Sequence, residues 1–211
     1  IAGGNFAVYY NVIQKGFSAL FSDFETRMYW LVLVIGILIT FISLYFQSNS
    51  MDIGQAFQDS AFTLVSIQTG SGFAVSDYDL WPAAAQMTLF IFSFFGGCRG
   101  STTGGVKIIR LIILIKSSII YLRKAIHPDM VQVVRINGKP LPEKWVRMAQ
   151  QFIFLYLMIY VISVFLMTCF GLSTGDALQI VTAFQSNVGL AFGGYGPTDS
   201  FALLPLGAKG V

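Results

Sequence analysis

Long uncharged apolar blocks alternate along this chain with short polar and glycine-rich interruptions. Residues 28–46 carry no charge, and at about 1.5 Å per residue they nearly cross a hydrocarbon core roughly 30 Å thick. A spanning helix is predicted over 29–46, with Tyr29 and Trp30 at one end and Tyr45 and Phe46 at the other, where amphipathic rings favour the membrane interfaces. Upstream, 1–27 reads as the tail of one helix followed by a polar connection. Residues 52–68 are apolar but interrupted by Gln55, Gln58, Asp59 and Ser60. At roughly 25 Å that segment is short for a span and too polar to face lipid, so a re-entrant helix is predicted. Thr69-Gly70-Ser71-Gly72-Phe73 follows, a run poor at extending a helix, and the acidic loop 77–82 then returns to the outer surface. A second apolar stretch, 80–95, stops at Gly96-Gly97-Cys98-Arg99-Gly100-Ser101-Thr102-Thr103-Gly104-Gly105. Each glycine costs a helix up to about 1 kcal/mol relative to alanine, so this reads as a spanning helix broken in its middle, resuming at Val106 and ending near Lys124. The polar segment 127–143 centres on Asn137-Gly138, a hairpin signal. Residues 145–170 predict another span, 174–185 another short helix, and Ser186-Asn187-Val188-Gly189-Leu190 opens another glycine-bearing end.

Composition strengthens the membrane reading. Of 211 residues, 55% are hydrophobic and 11% charged, where a soluble domain carries about 25% charged residues. The formal net charge is only +3, but its distribution is uneven. Asp52, Asp59, Asp77 and Asp79 fall in 51–98 with no Lys or Arg, whereas Lys and Arg far outnumber Asp129 and Glu143 over 99–147. The positive-inside rule therefore puts the 127–143 loop, with Lys15 and Arg27, in the cytoplasm and Asp52 outside. Cys98 and Cys169 lie in apolar or glycine-rich stretches and read as packing residues. The chain starts at Ile1 without a cleavable signal pattern, which reads as a cut from something longer.

Residues 59–74 and 176–191 align without a gap, with Asp59 on Asp176, Gln68 on Gln185, Gly72 on Gly189 and Ala74 on Ala191. Each copy follows a predicted span, and a proline comes soon after (Pro82, Pro197), so this is a direct repeat with both copies oriented alike. Such a unit suits a dehydrating cation. Backbone carbonyls of an extended strand replace water, glycine lets them turn toward one axis, and the preceding short helix aims its partial negative end at the ion. Asp77 and Asp79 raise the local cation concentration at the mouth.

Ser66-Ile-Gln-Thr-Gly-Ser-Gly-Phe-Ala, Leu80-Trp-Pro, the glycine-rich run through Lys107, His127-Pro and Asn187-Val-Gly resemble the Trk/Ktr/HKT potassium transporter superfamily, most nearly its bacterial Trk membrane subunits. The resemblance implies an all-α membrane protein of tandem helix–pore loop–helix repeats with a short cytoplasmic hairpin between them. Residues 1–27 would end a preceding repeat and connect it, 28–126 would be a complete repeat, 127–143 the cytoplasmic loop, and 144–211 a repeat lacking its last helix. It implies filter residues Thr69, Gly70, Ser71, Gly72 and Phe73 with Ser186, Asn187, Val188, Gly189 and Leu190, potassium meeting carbonyls near Gly72 and Gly189. It implies a gate at 96–105, with Lys107 at a basic position close to it. It further implies a homodimer in the inner (cytoplasmic) membrane with a cytoplasmic nucleotide-binding regulatory subunit. Potassium is then the substrate, with no covalently bound cofactor and no nucleic-acid partner. Two positions depart from the pattern: Arg99 replaces a small residue, and Gly70 is an extra glycine before Gly72. Serine in a filter-glycine position goes with sodium permeation in that superfamily, so glycine at both positions implies potassium.

Plainer readings stand beside these. Gly72 and Gly189 could be packing glycines, and 96–105 could be a kink, though ten residues is long for one. Residues 100–107 do not fit a phosphate loop, because Lys107 comes one residue late and no Ser or Thr follows it. Arg110 is expected to snorkel to the inner interface, and Lys107 either does the same or belongs to the loop. No nucleophile–base pair points to an enzyme. The rival functions are a sodium-permeable or weakly selective member of the same superfamily, an anion carrier using the glycine-rich loop with Arg99 and Lys107, and a non-conducting membrane anchor.

Overall fold

A computed structural model describes residues 2–16, 23–47, 52–127, 130, 132–189, 191, 195–196, 204–205 and 207–210. Its helices are α1 Phe6–Lys15, α2 Phe24–Gln47, α3 Ile53–Thr69, α4 Ala83–Ser93, α5 Ile108–Ile126, α6 Glu143–Cys169 and α7 Thr174–Gln185. Two-residue strands complete it: β1 Phe95–Gly96 pairs in parallel with β2 Val106–Lys107, and β3 Arg135–Ile136 pairs antiparallel with β4 Lys139–Pro140. Among the described residues, α2 and α6 are long and apolar enough to cross a membrane. Their outer faces expose rows of large apolar side chains, among them Leu31, Ile35, Leu38 and Ile42 on α2 and Leu155, Ile159, Ile162 and Phe165 on α6. In water such a surface would aggregate; in lipid it is matched.

Helices α3 and α7 are started by side chains that satisfy otherwise unpaired N–H groups. Asp52 accepts from the Gly54 N–H at 3.1 Å on α3, and Ser173 accepts from the Asp176 N–H at 3.1 Å on α7. Helix α2 packs against both α3 and α4, and Gly36 permits the close approach: a Cβ there would sit 2.5 Å from the Phe92 ring and 2.6 Å from Leu64. Leu44, Ala56, Leu64, Leu89 and Phe92 fill this first core, α6 and α7 enclose a second around Ile180 and Met167, and Tyr29, Leu33, Cys98, Ile108 and Ile112 form a third.

The structure adjusts several sequence expectations. Helix α2 begins at Phe24 rather than at Tyr29, because Asp23 caps it (Thr26 N–H at 3.2 Å), so Glu25 and Arg27 are helical rather than part of a connection. The apolar stretch at 80–95 is helical only from Ala83, after a short 3-10 turn over Tyr78–Leu80 and Pro82. Helix α5 starts at Ile108, since Val106 and Lys107 pair with Phe95 and Gly96 instead. That parallel bridge holds the two halves of the broken helix together across the loop. Cys98 is fully buried as a packing residue, whereas Cys169 is exposed. Pro128 and Pro197 lie outside the described residues.

Candidate functional site: two glycine-bearing segments above a glycine-rich loop

Helix α3 ends at Gly70 in the left-handed conformation, φ 64°. The Gly70 N–H returns to the Ile67 carbonyl (3.1 Å) and the Ser71 N–H to the Ser66 carbonyl (3.0 Å). This is a Schellman motif, which needs a residue tolerant of positive φ. Helix α7 ends the same way: the Asn187 N–H returns to Phe184 (3.0 Å), the Val188 N–H to Ala183 (2.9 Å), and Asn187 has φ 54°. Asparagine tolerates this region better than other residues bearing a Cβ. Two residues on, Gly72 and Gly189 are again left-handed, at φ 68° and 79°. Positive φ therefore recurs at 70, 72, 187 and 189, the positions the gap-free alignment puts in register. The two segments lie side by side: a Cβ on Gly70 would sit 3.1 Å from the Asn187 carbonyl oxygen, and one on Gly72 would sit 2.7 Å from that of Val188.

Different side chains brace the two segments. Ser71 is held from its own helix, its hydroxyl 3.2 Å from that of Ser66 and 3.3 Å from that of Thr69. Ser186 is buried, with its hydroxyl 2.9 Å from the Tyr156 hydroxyl on α6. Gln185 donates to the Tyr156 carbonyl (2.8 Å), and one turn along, Tyr160 donates to the Leu178 carbonyl (3.1 Å). The tyrosines were not singled out from sequence, although two phenols four residues apart in an apolar helix signal polar partners. Tyr78, fully buried, donates to the Ala191 carbonyl (2.9 Å) and ties the acidic loop to the second segment. Phe73 is exposed, and Leu190 lies outside the described residues.

Residues 96–105 form a compact loop against the second segment. A Cβ on Gly104 would collide with the Ser186 carbonyl, and one on Gly97 with the Gly3 carbonyl. Inside the loop, Thr103 Oγ1 accepts from the Gly97 N–H (2.7 Å) and lies 2.9 Å from the Ser101 hydroxyl. The Cys98 N–H donates to Gly3 (2.8 Å), and the Arg99 N–H donates to Glu25 Oε1. Gly100 and Gly105 adopt positive φ, and Thr102 is exposed. The Lys107 ammonium turns into the loop, donating to Ser101 Oγ (2.9 Å), the Ser101 carbonyl (3.2 Å), Thr103 Oγ1 (2.9 Å) and the Thr103 carbonyl. Lys107 is therefore part of the loop. The Arg110 guanidinium stacks over the Phe152 ring at 3.7 Å. The departure at Arg99 is absorbed by its backbone, since the side chain is exposed and the N–H makes the contact with Glu25. Among the described residues no group of three His, Cys, Asp or Glu is placed to hold a metal ion.

The apolar spans, the paired glycine-bearing segments and the loop against them define a predominantly helical membrane protein. The chain belongs to the TrkH family of cation transport proteins, whose model matches residues 6–210. It is similar to the Trk system potassium uptake protein TrkG of Escherichia coli (strain K12), 32% identical over 201 residues, covering 95% of this chain and 41% of the relative. It is also similar to TrkH of Halomonas elongata, 33% identical, covering 85% of this chain and 37% of that protein. The crystal structure of the potassium transporter TrkH from Vibrio parahaemolyticus superposes with a TM-score of 0.82 at 27% identity, over 96% of this chain and 42% of that one. This chain thus spans about 40% of the length of these relatives.

Proposed function

We propose that this chain forms part of a potassium-uptake path across the cytoplasmic membrane, built from helix–pore loop–helix repeats. The carrying observation is the recurrence of positive φ at Gly70, Gly72, Asn187 and Gly189 in two adjacent segments. Left-handed residues alternating with ordinary ones turn successive carbonyls toward one side of a strand, the arrangement that replaces a cation's water. Helices α3 and α7 both end at these segments, so their C-terminal partial charges favour a cation there. The names of the relatives specify potassium uptake, and glycine at both aligned positions agrees with potassium over sodium.

The loop 96–105 is the gate in this reading. It lies against Ser186 and is closed on itself by Lys107, so conduction requires it to move. The same contacts weaken the anion-carrier reading, because the Lys107 charge is already occupied by four oxygens. The assembly is a homodimer with a cytoplasmic nucleotide-binding subunit, in keeping with relatives named as parts of a Trk system.

The test is rubidium uptake into liposomes holding the full-length protein, with Gly72→Ser in parallel. Uptake blocked by excess potassium but not sodium, and altered by Gly72→Ser, is expected. Absent uptake, or uptake indifferent to Gly72, removes the filter reading.

A further inference from the structure

The cytoplasmic hairpin is tied to the glycine-rich loop through the first residues of α2. Asn137 sits at the hairpin tip with φ 51°, followed by Gly138 with φ 75°. Positive φ at both central residues marks a type I′ turn. The Asn137 side chain reaches across the chain to α2: its Oδ1 accepts from the Phe24 N–H (3.0 Å) and its Nδ2 donates to Asp23 Oδ1 (3.0 Å). Asp23 is itself the cap of α2, accepting from the Thr26 N–H and hydroxyl, both at 3.2 Å. Lys116 steadies the hairpin from α5, donating to the Arg135 carbonyl (3.0 Å) while its ammonium lies 4.5 Å from the Phe24 ring centroid.

The next residue of α2 is Glu25, 5% exposed, whose carboxylate accepts from the Arg99 N–H. A shift of the α2 start therefore moves the hairpin contact and the loop contact together, because Phe24 and Glu25 are consecutive. The hairpin itself is open to solvent at Arg135, Asn137, Gly138, Lys139 and Pro140. It is the part of this linkage that a cytoplasmic partner can reach.

We propose that Glu25 is a positioning residue that holds the 96–105 loop closed, and that the 135–140 hairpin, through Asn137, sets the position of Glu25. The gate role of the loop rests on the function proposed above; the mechanical link does not. Displacing the hairpin withdraws the support of the Phe24 N–H and of Asp23, the α2 start shifts, and the Arg99 N–H loses its acceptor.

Cys98, next to Arg99 and 0% exposed, reports on the loop without any need for transport. The full-length protein in liposomes is treated with a maleimide, and modification of the Cys98 peptide is timed by mass spectrometry, with Cys98→Ser as the blank. Asn137→Gly keeps the turn and removes the side chain, Glu25→Ala removes the acceptor, and Glu25→Gln keeps a carbonyl oxygen for Arg99. Asn137→Gly and Glu25→Ala are expected to speed labelling about tenfold, the scale of one lost hydrogen bond to a charged acceptor. Glu25→Gln should stay close to wild type, and the Asn137→Gly/Glu25→Ala pair should label no faster than the faster single variant. Multiplying effects in the pair, equal rates for Gln and Ala at position 25, or unchanged labelling would each overturn the linkage. A melting temperature that falls in step with labelling would assign the effect to general destabilisation, which also overturns it. Rubidium uptake by the same vesicles keeps the two readings apart: faster labelling with no wild-type uptake retains the linkage and removes the gate.

Discussion

Replacing Lys107 with methionine keeps the length of the side chain and removes the charge that closes the loop. Its ammonium has three protons facing four acceptors, Ser101 Oγ at 2.9 Å, the Ser101 carbonyl at 3.2 Å, Thr103 Oγ1 at 2.9 Å and the Thr103 carbonyl. A hydrogen bond to a charged donor contributes about 1.5–3 kcal/mol net. Lys107 is only half-buried, so solvent competes and the three bonds cannot simply be added. Taking one such bond as the net preference for the closed loop gives about 2 kcal/mol, or roughly a thirtyfold change in the opening equilibrium. Lys107→Met should therefore raise basal rubidium uptake by about thirtyfold at most. Potassium should still block that uptake, because the segments at 69–73 and 186–189 keep their contacts. Arginine is not a neutral substitute, since its flat guanidinium presents fixed donors where Ser101 and Thr103 surround a compact ammonium; Lys107→Arg should fall between methionine and wild type. Uptake by the methionine variant at or below wild type, with an unchanged melting temperature, would show that Lys107 does not hold the barrier shut.

The two aligned glycines should differ in tolerance: alanine at Gly72 meets the Val188 oxygen at 2.7 Å as well as the φ penalty, whereas a Cβ on Gly189 meets nothing within 4 Å. Gly72→Ala should abolish potassium-blockable uptake while Gly189→Ala, costing about 1–2 kcal/mol of backbone strain, retains part of it; equal losses would contradict the geometry. Asn187→Gly should leave uptake and melting near wild type, and Asn187→Val should damage both, since only φ at 187 has to be preserved. Tyr156→Phe removes the partner of Ser186 Oγ and should cost about 1 kcal/mol, read as a lower melting temperature and weaker discrimination against sodium in competition uptake. Gly36→Leu overfills the contact with Leu64 and Phe92 and should destabilise by about 1–3 kcal/mol, checked by thermal unfolding in detergent.

Much of the fold was legible because its strongest signals are local. The limits of α7, Thr174–Gln185, coincide with those predicted, and α3 differs by a single residue at each end. Asn137-Gly138 gave its hairpin for the same reason, since the turn depends on two residues and nothing distant. The features that escaped are long-range. Glu25 reads as a charge in a connection until the Arg99 N–H, 74 positions away, is brought against it. The parallel pairing of Phe95 with Val106 has no periodic signature, because two residues per strand are too few to alternate. Lys107 stayed ambiguous between interface and loop, since both destinations suit a lysine beside an apolar helix and only the placement of Ser101 and Thr103 decides.

The two candidate segments show why sequence identity underestimates their likeness. Aligned by residue, Gly70 and Asn187 count as a mismatch; aligned by backbone, they are the same left-handed turn closing the same motif. The requirement is on φ, which glycine satisfies freely and asparagine tolerates, so the chain can change the side chain there and keep the turn. Around that fixed backbone the bracing has diverged. Ser71 is held by hydroxyls of its own helix, whereas Ser186 is held by Tyr156 on another. The serine hydroxyl of the first segment is thus anchored within α3, and that of the second on α6. Gly104 and its loop press on the second segment, at Ser186.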